Sequence, residues 1–231
     1  MSVAMSNWSL GALLLVLMSC QAARPAQQPP VGNPPATALG GRLPPPVETG
    51  TVSLEQVLRR RRSVRQYDAR LLSTQEISQL LWSAQGITSP EGLRTAPSAG
   101  ALYPLELYVA TADGLFHYEP AGHRLTRRSG GDSRPAMQQA AFHQEAVGQA
   151  PAVFVIAGVY ARTASKYGTR AERYVILEAG HAAQNLLLQA VALGLGAVPI
   201  GAFDDAGIRQ ALDLPSEYQP LYLIPVGHPA P

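Results

Sequence analysis

The sequence predicts an α+β domain, and three observations carry that prediction. Helical and strand patterns mix along the chain without a strict βαβ rhythm. The run VFVIAGV at 153–159 is continuously apolar, as in a strand covered on both faces. Glu178–Leu193 is apolar almost all round, which predicts a long buried helix. Composition permits a packed core: of 231 residues 46% are hydrophobic and 15% charged.

The elements follow in chain order. Leu10–Met18, LGALLLVLM, is too short to span a bilayer and suits the core of a signal peptide. Ser19 and Cys20 come next, and LMSC resembles a bacterial lipoprotein cleavage box, whose cysteine is lipidated. Residues 1–9 hold no Lys or Arg, so the usual basic start is missing. A plain secretory signal is the alternative. Cys20 is the only cysteine, which leaves no internal disulfide and no Cys-rich metal site. Gln21–Pro46 is rich in Pro, Gln, Ala and Gly and reads as an extended tether. The expected division is a leader at 1–20, a linker at 21–50 and a folded domain at 51–231.

Within that domain, Ser53 and Gln56 have the pattern of a capping box, and Leu54, Val57 and Leu58 follow at helical spacing. A second helix fits Ser73–Gln85, with Gly86 ending it. LELYVA at 105–110 alternates like a half-buried strand. Leu115–Tyr118 and Arg124–Arg127 flank EPAGH as a hairpin. After the apolar strand and long helix, Gly194 is placed to cap the helix, and Leu221–Val226 is a last strand.

The functional signals are local. Net charge is +2, which argues against a general nucleic-acid binder. The arginines of RRSVRQY at 61–67 therefore suit a small anion, or else favour the dipole at a helix C-terminus. There is no G-x-S-x-G elbow, phosphate-loop signature or H-E-x-x-H pair, and the five histidines lack metal-ligand spacing. Gly194-Leu195-Gly196 is a very weak dinucleotide signal, because it follows a helix instead of a strand. His181 reads as a satisfied core or interface histidine. Two small-residue loops remain, APSAGALYPLE at 96–106 and PIGAF at 199–203, where a flat ring can approach the backbone.

Together these stretches, with LLWSAQGIT at 80–88, KYGTRAERY at 166–174 and EAGHAAQNLLLQAVALGLGAVPIGAF at 178–203, resemble the nitroreductase-like flavoproteins. The SagB-type dehydrogenase branch, which includes thiazole/oxazole-forming oxidases, is the nearest likeness. The resemblance runs from about Ser53 to Pro229. It implies a central mixed β-sheet flanked by helices, with the long helix at a homodimer interface. It implies FMN in a cleft built from both subunits. Arg61, Arg62, Ser63 and Arg65 would grip its phosphate and ribityl chain, as charge-assisted donors suit a phosphate. Pro97, Ser98, Ala99 and Gly100 would lie at the ring edge. Pro199, Ile200, Gly201 and Ala202 would aim backbone N–H groups at the ring. Lys166 and Tyr167 would carry the proton chemistry, with a neighbouring cation easing the tyrosine's ionisation. This chain departs from ordinary nitroreductases at Ala101 (Asn there) and Gly201 (an acid there), both in the direction of the SagB-type branch. His228 stands where many relatives have an arginine on the phosphate.

The resemblance implies a two-electron oxidoreductase acting on a small organic substrate, azoline-like in this branch, without metal or nucleic acid. Two alternatives stay open: an NAD(P)H-dependent nitro or quinone reductase, and a flavin- or ligand-binding module without turnover. The leader implies a cell-envelope protein anchored through Cys20. A cytoplasmic protein is the alternative.

Overall fold

The computed structural model describes residues 39–231. The leader, Cys20 and most of the expected linker lie outside them. The α+β expectation holds. Seven strands form one sheet in the order β1-β4-β3-β2-β5-β7-β6. These are β1 (Gly41–Arg42), β2 (Leu105–Thr111), β3 (Gly114–Glu119), β4 (Arg124–Gly130), β5 (Ala152–Gly158), β6 (Gly196–Ala197) and β7 (Gln219–Gly227). The ladders between them run antiparallel. A parallel bridge from Ser63 to Ala197 beside β6 makes the sheet mixed.

Alternation along the strands divides the core in two. Leu107 and Val109 of β2, with Phe154 and Ile156 of β5, point to one face, where α2 (Thr74–Gln85) and α6 (Ala171–Ala192) cover them. Tyr108, Ala110, Val153 and Val155 point to the other. That face is covered by α3 (Arg134–Ala140), α4 (Glu145–Gln149) and α7 (Asp205–Ala211). A strand between two helical layers has no solvent side. This explains the apolar run in β5, and it corrects β2, which is almost wholly buried instead of half-buried.

The helix starts follow their caps. Ser73 accepts from the Glu76 N–H, and the Glu76 carboxylate accepts from the Ser73 N–H, a reciprocal box that satisfies two orphan donors. Ser53 caps α1 (Leu54–Arg60) by accepting from the Gln56 N–H, but the Gln56 side chain returns no bond, so the expected box is only half formed. Only Val57 of that helix is buried; Leu54 and Leu58 face out. At the end of α6, Gly194 takes φ +73°, and the Leu195 N–H reaches back to the Ala190 carbonyl at 2.8 Å. That closure needs the left-handed residue glycine supplies.

Two expectations change. The domain begins before residue 51: β1 pairs with β4, Leu43 is buried, and Gln79 exchanges two hydrogen bonds with the backbone of Val47. Proline-rich chain was read as tether, yet its carbonyls find fixed donors here. The Pro44 carbonyl accepts from the Ser78 hydroxyl at 2.6 Å and faces His123 Nε2 at 3.0 Å. Nor is α6 buried all round. Val175, Ala179, Ala182 and Leu186 pack inward, while Ile176, Leu177 and His181 face out.

Candidate active site

The chain backbone after α1 lies against the end of the sheet. The Val64 N–H donates to the Ala197 carbonyl at 3.0 Å, beside the Ser63–Ala197 bridge. Gly196 permits this approach, since a Cβ there would stand 2.6 Å from Val64 Cγ1. The Tyr67 hydroxyl ties the segment down on the Val64 and Pro225 carbonyls. The Asp68 N–H donates to the His228 carbonyl at 2.9 Å. Arg61, Arg62, Ser63, Arg65 and His228 are thereby gathered at one edge of the sheet. Arg62 curls onto the carbonyls of Arg59 and Arg61. Arg61 and Arg65 make no ion pair among the described residues, and the His228 ring lies 3.7 Å from Glu76. Fixed backbone with free guanidinium groups is a donor set that fits a phosphate.

The turn at Pro199–Ala202 adjoins this edge. Ile200 exchanges both backbone bonds with Leu223, and Gln144 Nε2 donates to the Ala202 carbonyl at 2.8 Å. A cavity of about 520 Å³ opens beside Gly201, with Tyr160, Glu172, Phe203, Asp205 and Tyr222 in its walls.

A second group forms around the 97–101 loop. Gly100, Ala101 and Tyr103 all have positive φ, at 64°, 54° and 47°. The two non-glycine residues each cost about 1–2 kcal/mol in that region. Surrounding contacts hold them there: the Tyr103 N–H donates to Ser98 Oγ at 2.9 Å, and Arg162 Nη1 donates to the Tyr103 carbonyl at 3.2 Å. The Arg94 guanidinium stacks 4.3 Å from the Tyr103 ring centroid. Against this loop stand the two residues expected to do proton chemistry. A Cβ at Gly100 would lie 3.0 Å from the Tyr167 hydroxyl and 3.1 Å from Lys166 Nζ. They end α5 (Tyr160–Tyr167), because Gly168 at φ 54° and ψ −129° breaks the helix. Lys166 and Tyr167 are therefore not on a helix running on to Arg170 and Arg173. The near cation is Lys166, with Nζ 5.6 Å from the Tyr167 ring centroid, and Tyr174 packs edge-on to that ring at 5.2 Å. The start of α5 is pinned where Glu106 accepts from Arg162 and pairs with His117. Burial opposes ionisation of Glu106, but these two partners hold its carboxyl below the usual range.

No hydrogen bond or ion pair joins the two groups among the described residues. α2 spans between them. Glu76 near its start faces His228, while Gln85 at its end accepts from Arg94 Nη1 at 2.8 Å. Those residues are about 14 Å apart along the helix, at 1.5 Å per residue.

Sequence reasoning missed Arg94 and Glu178. Glu178 lies on the inner side of α6 and is 3% exposed. Burial pushes its carboxyl up to about 7, against the opposing pull of the Ser98 hydroxyl, Arg94 and the Ala99 amide. An acid in line with the buried apolar positions Val175, Ala179 and Ala182 of α6 was the available signal.

Fold and side-chain placement together define an α+β scaffold with a cationic sheet edge and a lysine–tyrosine pair beside a small-residue loop. The sequence profile of the nitroreductase family matches residues 58–228, and the chain belongs to that family. A Methanocaldococcus jannaschii protein assigned as a nitroreductase is 44% identical over 182 residues, covering 76% of this chain and 91% of its own. A Ralstonia eutropha JMP134 crystal structure with the same assignment superposes with a TM-score of 0.75 at 30% identity, covering 82% of this chain and 89% of that one. A chain of the Escherichia coli microcin synthetase complex, solved with truncated pro-MccB17 bound, gives 0.67 at 23%, covering 75% and 71%. At that identity the likeness is one of fold.

Proposed function

We propose that the protein is an FMN-dependent oxidoreductase of the SagB type, moving two electrons between a small organic ring and the flavin. The observation that carries this reading is the convergence of Lys166 Nζ and the Tyr167 hydroxyl on Gly100 of the 97–100 loop. That is a proton-handling pair beside the small-residue loop that suits a flat ring.

Arg61, Ser63 and Arg65 would hold the phosphate, with Arg62 and His228 beside them. Pro97, Ser98, Ala99 and Gly100 would bound the ring edge. At Pro199–Ala202, the N–H groups of Gly201 and Ala202 have no backbone acceptor among the described residues and can be aimed at the ring. When bound, FMN supplies a two-electron acceptor that takes hydride at N5. The work of Lys166 and Tyr167 is to hold and move the proton at the neighbouring substrate carbon. The cavity beside Gly201 lies in the usual range for small-molecule sites.

The two groups lie at opposite ends of α2, so a second copy offers a way to bring one chain's loop to the other's arginines. The outward Ile176 and Leu177 of α6 supply an apolar contact for such a homodimer. An azoline-like ring, with oxygen as the final electron acceptor, is one substrate this reading admits. The nitroreductase assignment of the similar proteins favours a second reading, reduction of nitroaromatics or quinones by NAD(P)H. A third is a flavin- or ligand-binding module without turnover. The leader supports placement in the cell envelope through a lipid on Cys20, with a cytoplasmic protein as the alternative.

The test begins with the visible spectrum of the purified protein and the identity of any pigment released by heat. Free FMN is expected. Oxidation of an azoline peptide without nicotinamide, lost in Tyr167→Phe, supports the leading reading. Turnover only with NADPH and a quinone moves the protein to the second. A colourless protein that also ignores added FMN sinks the flavin readings.

A further inference from the structure

Glu178 has no part in the chemistry above, yet its position is unusual. It sits on the inner side of α6 at 3% exposure, and its Oε1 has no hydrogen-bond partner. Arg94 Nε and Gln85 Nε2 nearby are also buried without partners. A buried, unpaired carboxylate is expensive unless something compensates it. The groups that face it are few. Arg94 is the one charge close to it, and Arg94 in turn feels Tyr103, Glu106 and Tyr118. The Ser98 hydroxyl and Ala99 N–H of the 97–101 loop are near enough to favour its charged form, though neither hydrogen-bonds Oε1. Lys166 and Tyr167 stand across that loop, at Gly100. On its own helix, Tyr174 lies one turn earlier and packs on Tyr167.

We infer that Glu178 is a positioning residue: its carboxyl supports the 97–101 loop from beneath, and its charge state sets how Gly100 stands against Lys166 and Tyr167. The ionised carboxyl attracts the Ser98 hydroxyl, the Ala99 N–H and Arg94 together. The neutral acid loses that attraction and gains a proton to donate. Three consecutive elements then respond as one: the α6 carboxyl, the strained loop and the end of α5. Its upward-shifted titration places the change near neutral pH. The loop carries two non-glycine residues with positive φ, so it holds its shape only while its supports do.

The inference rests on the proposed roles of Lys166 and Tyr167 for its bearing on turnover, but its first readout does not. Amide exchange of residues 98–103 is followed in the full-length protein from pH 5.5 to 8.5, corrected for intrinsic rates. Wild type is compared with Glu178→Gln and Glu178→Ala. Wild-type loop protection is expected to change across neutral pH. Glu178→Gln keeps an oxygen acceptor but cannot titrate, so its protection stays flat while exchange elsewhere is unaltered. Glu178→Ala loosens the loop at every pH. In turnover, Glu178→Ala lowers kcat about 10- to 100-fold with little change in KM, the cost of a displacement near 1 Å. Glu178→Gln recovers most of that and lacks the wild-type pH limb. A Glu178→Gln loop that still responds to pH as wild type does overturns the inference. So does an unchanged loop in a folded Glu178→Ala protein. A protein without flavin would fail the functional reading alone, because the exchange measurement needs none.

Discussion

Replacing Gly196 with alanine tests the cationic edge most directly. The new Cβ would meet Val64 Cγ1 at 2.6 Å, Cβ at 2.8 Å and Cγ2 at 3.2 Å. Carbon atoms rest about 3.5–4.0 Å apart, so Val64 must retreat by roughly 1 Å. Valine is stiff at χ1, and rotation does not relieve a clash with all three atoms. The backbone of 63–65 has to move, and the 3.0 Å bond from Val64 to Ala197 moves with it. Overpacking of this kind costs about 1–3 kcal/mol. In a domain of this size each kcal/mol lowers Tm by about 2–4 °C. The same shift carries Ser63 and Arg65 off any bound phosphate. Charge-assisted bonds act at about 2.7–2.9 Å and contribute about 1.5–3 kcal/mol each. Losing one raises the FMN Kd about 10- to 150-fold. Flavin fluorescence quenching gives the Kd and thermal melting gives the stability. Gly50→Ala is the control, since its Cβ meets only the Val52 carbonyl oxygen, at 3.9 Å, away from the site. A lower Tm with unchanged FMN affinity would refute the assignment of the phosphate to this edge. No change in either would refute the close packing itself.

Gly100→Ala adds a left-handed alanine worth about 1 kcal/mol of strain and pushes on Lys166 and Tyr167. We expect turnover to fall about 10- to 100-fold, more than FMN affinity does; unchanged turnover would remove Lys166 and Tyr167 from the chemistry. Burial depresses the His123 pKa, with Arg42 adding to it and the Pro44 carbonyl opposing. The unfolded chain therefore binds the proton first, and stability is lost as pH falls below the unfolded value of about 6.5. That slope is best read in a Glu178→Gln background, because the raised carboxyl gives the opposite slope from about 4.5 to 7. His123→Gln should remove it, as melting curves between pH 5 and 7.5 will show. Leu177→Arg alters a residue that is 53% exposed, so the subunit should stay folded. The proposed homodimer predicts a parent at twice the subunit mass and a monomeric variant in sedimentation, and an unchanged mass would remove α6 from the interface.

Most of the fold was legible because burial leaves periodic marks. The β5 run and the capping pairs at Ser53 and Ser73 name their elements directly. What was not legible depends on contacts between distant segments. Gln21–Pro46 has a tether's composition, yet its last residues are held by Ser78 and His123, which no local pattern reports. The apolar run marks the long helix only from Glu178, whereas α6 starts at Ala171 and turns Ile176 and Leu177 outward. In the site, short motifs gave the arginine cluster and the two loops. That Tyr167 should stand over Gly100 could not be read locally, because a glycine break and the anchoring of α5 by Glu106 decide it. Glu178 was visible as a letter, but its meaning came only with its neighbours.

The order of the strands has a mechanical side. β1 and β6 are the two edges of the seven-stranded sheet, six spacings or about 29 Å apart. Force applied to the chain ahead of Leu39 enters at the β1 edge, where two paired residues and the strap on Ser78, Gln79 and His123 bear it. The arginine edge lies on the far side of the sheet, yet α2 connects the two, because its Glu76 faces His228 two residues before Ser78 takes hold of the strap.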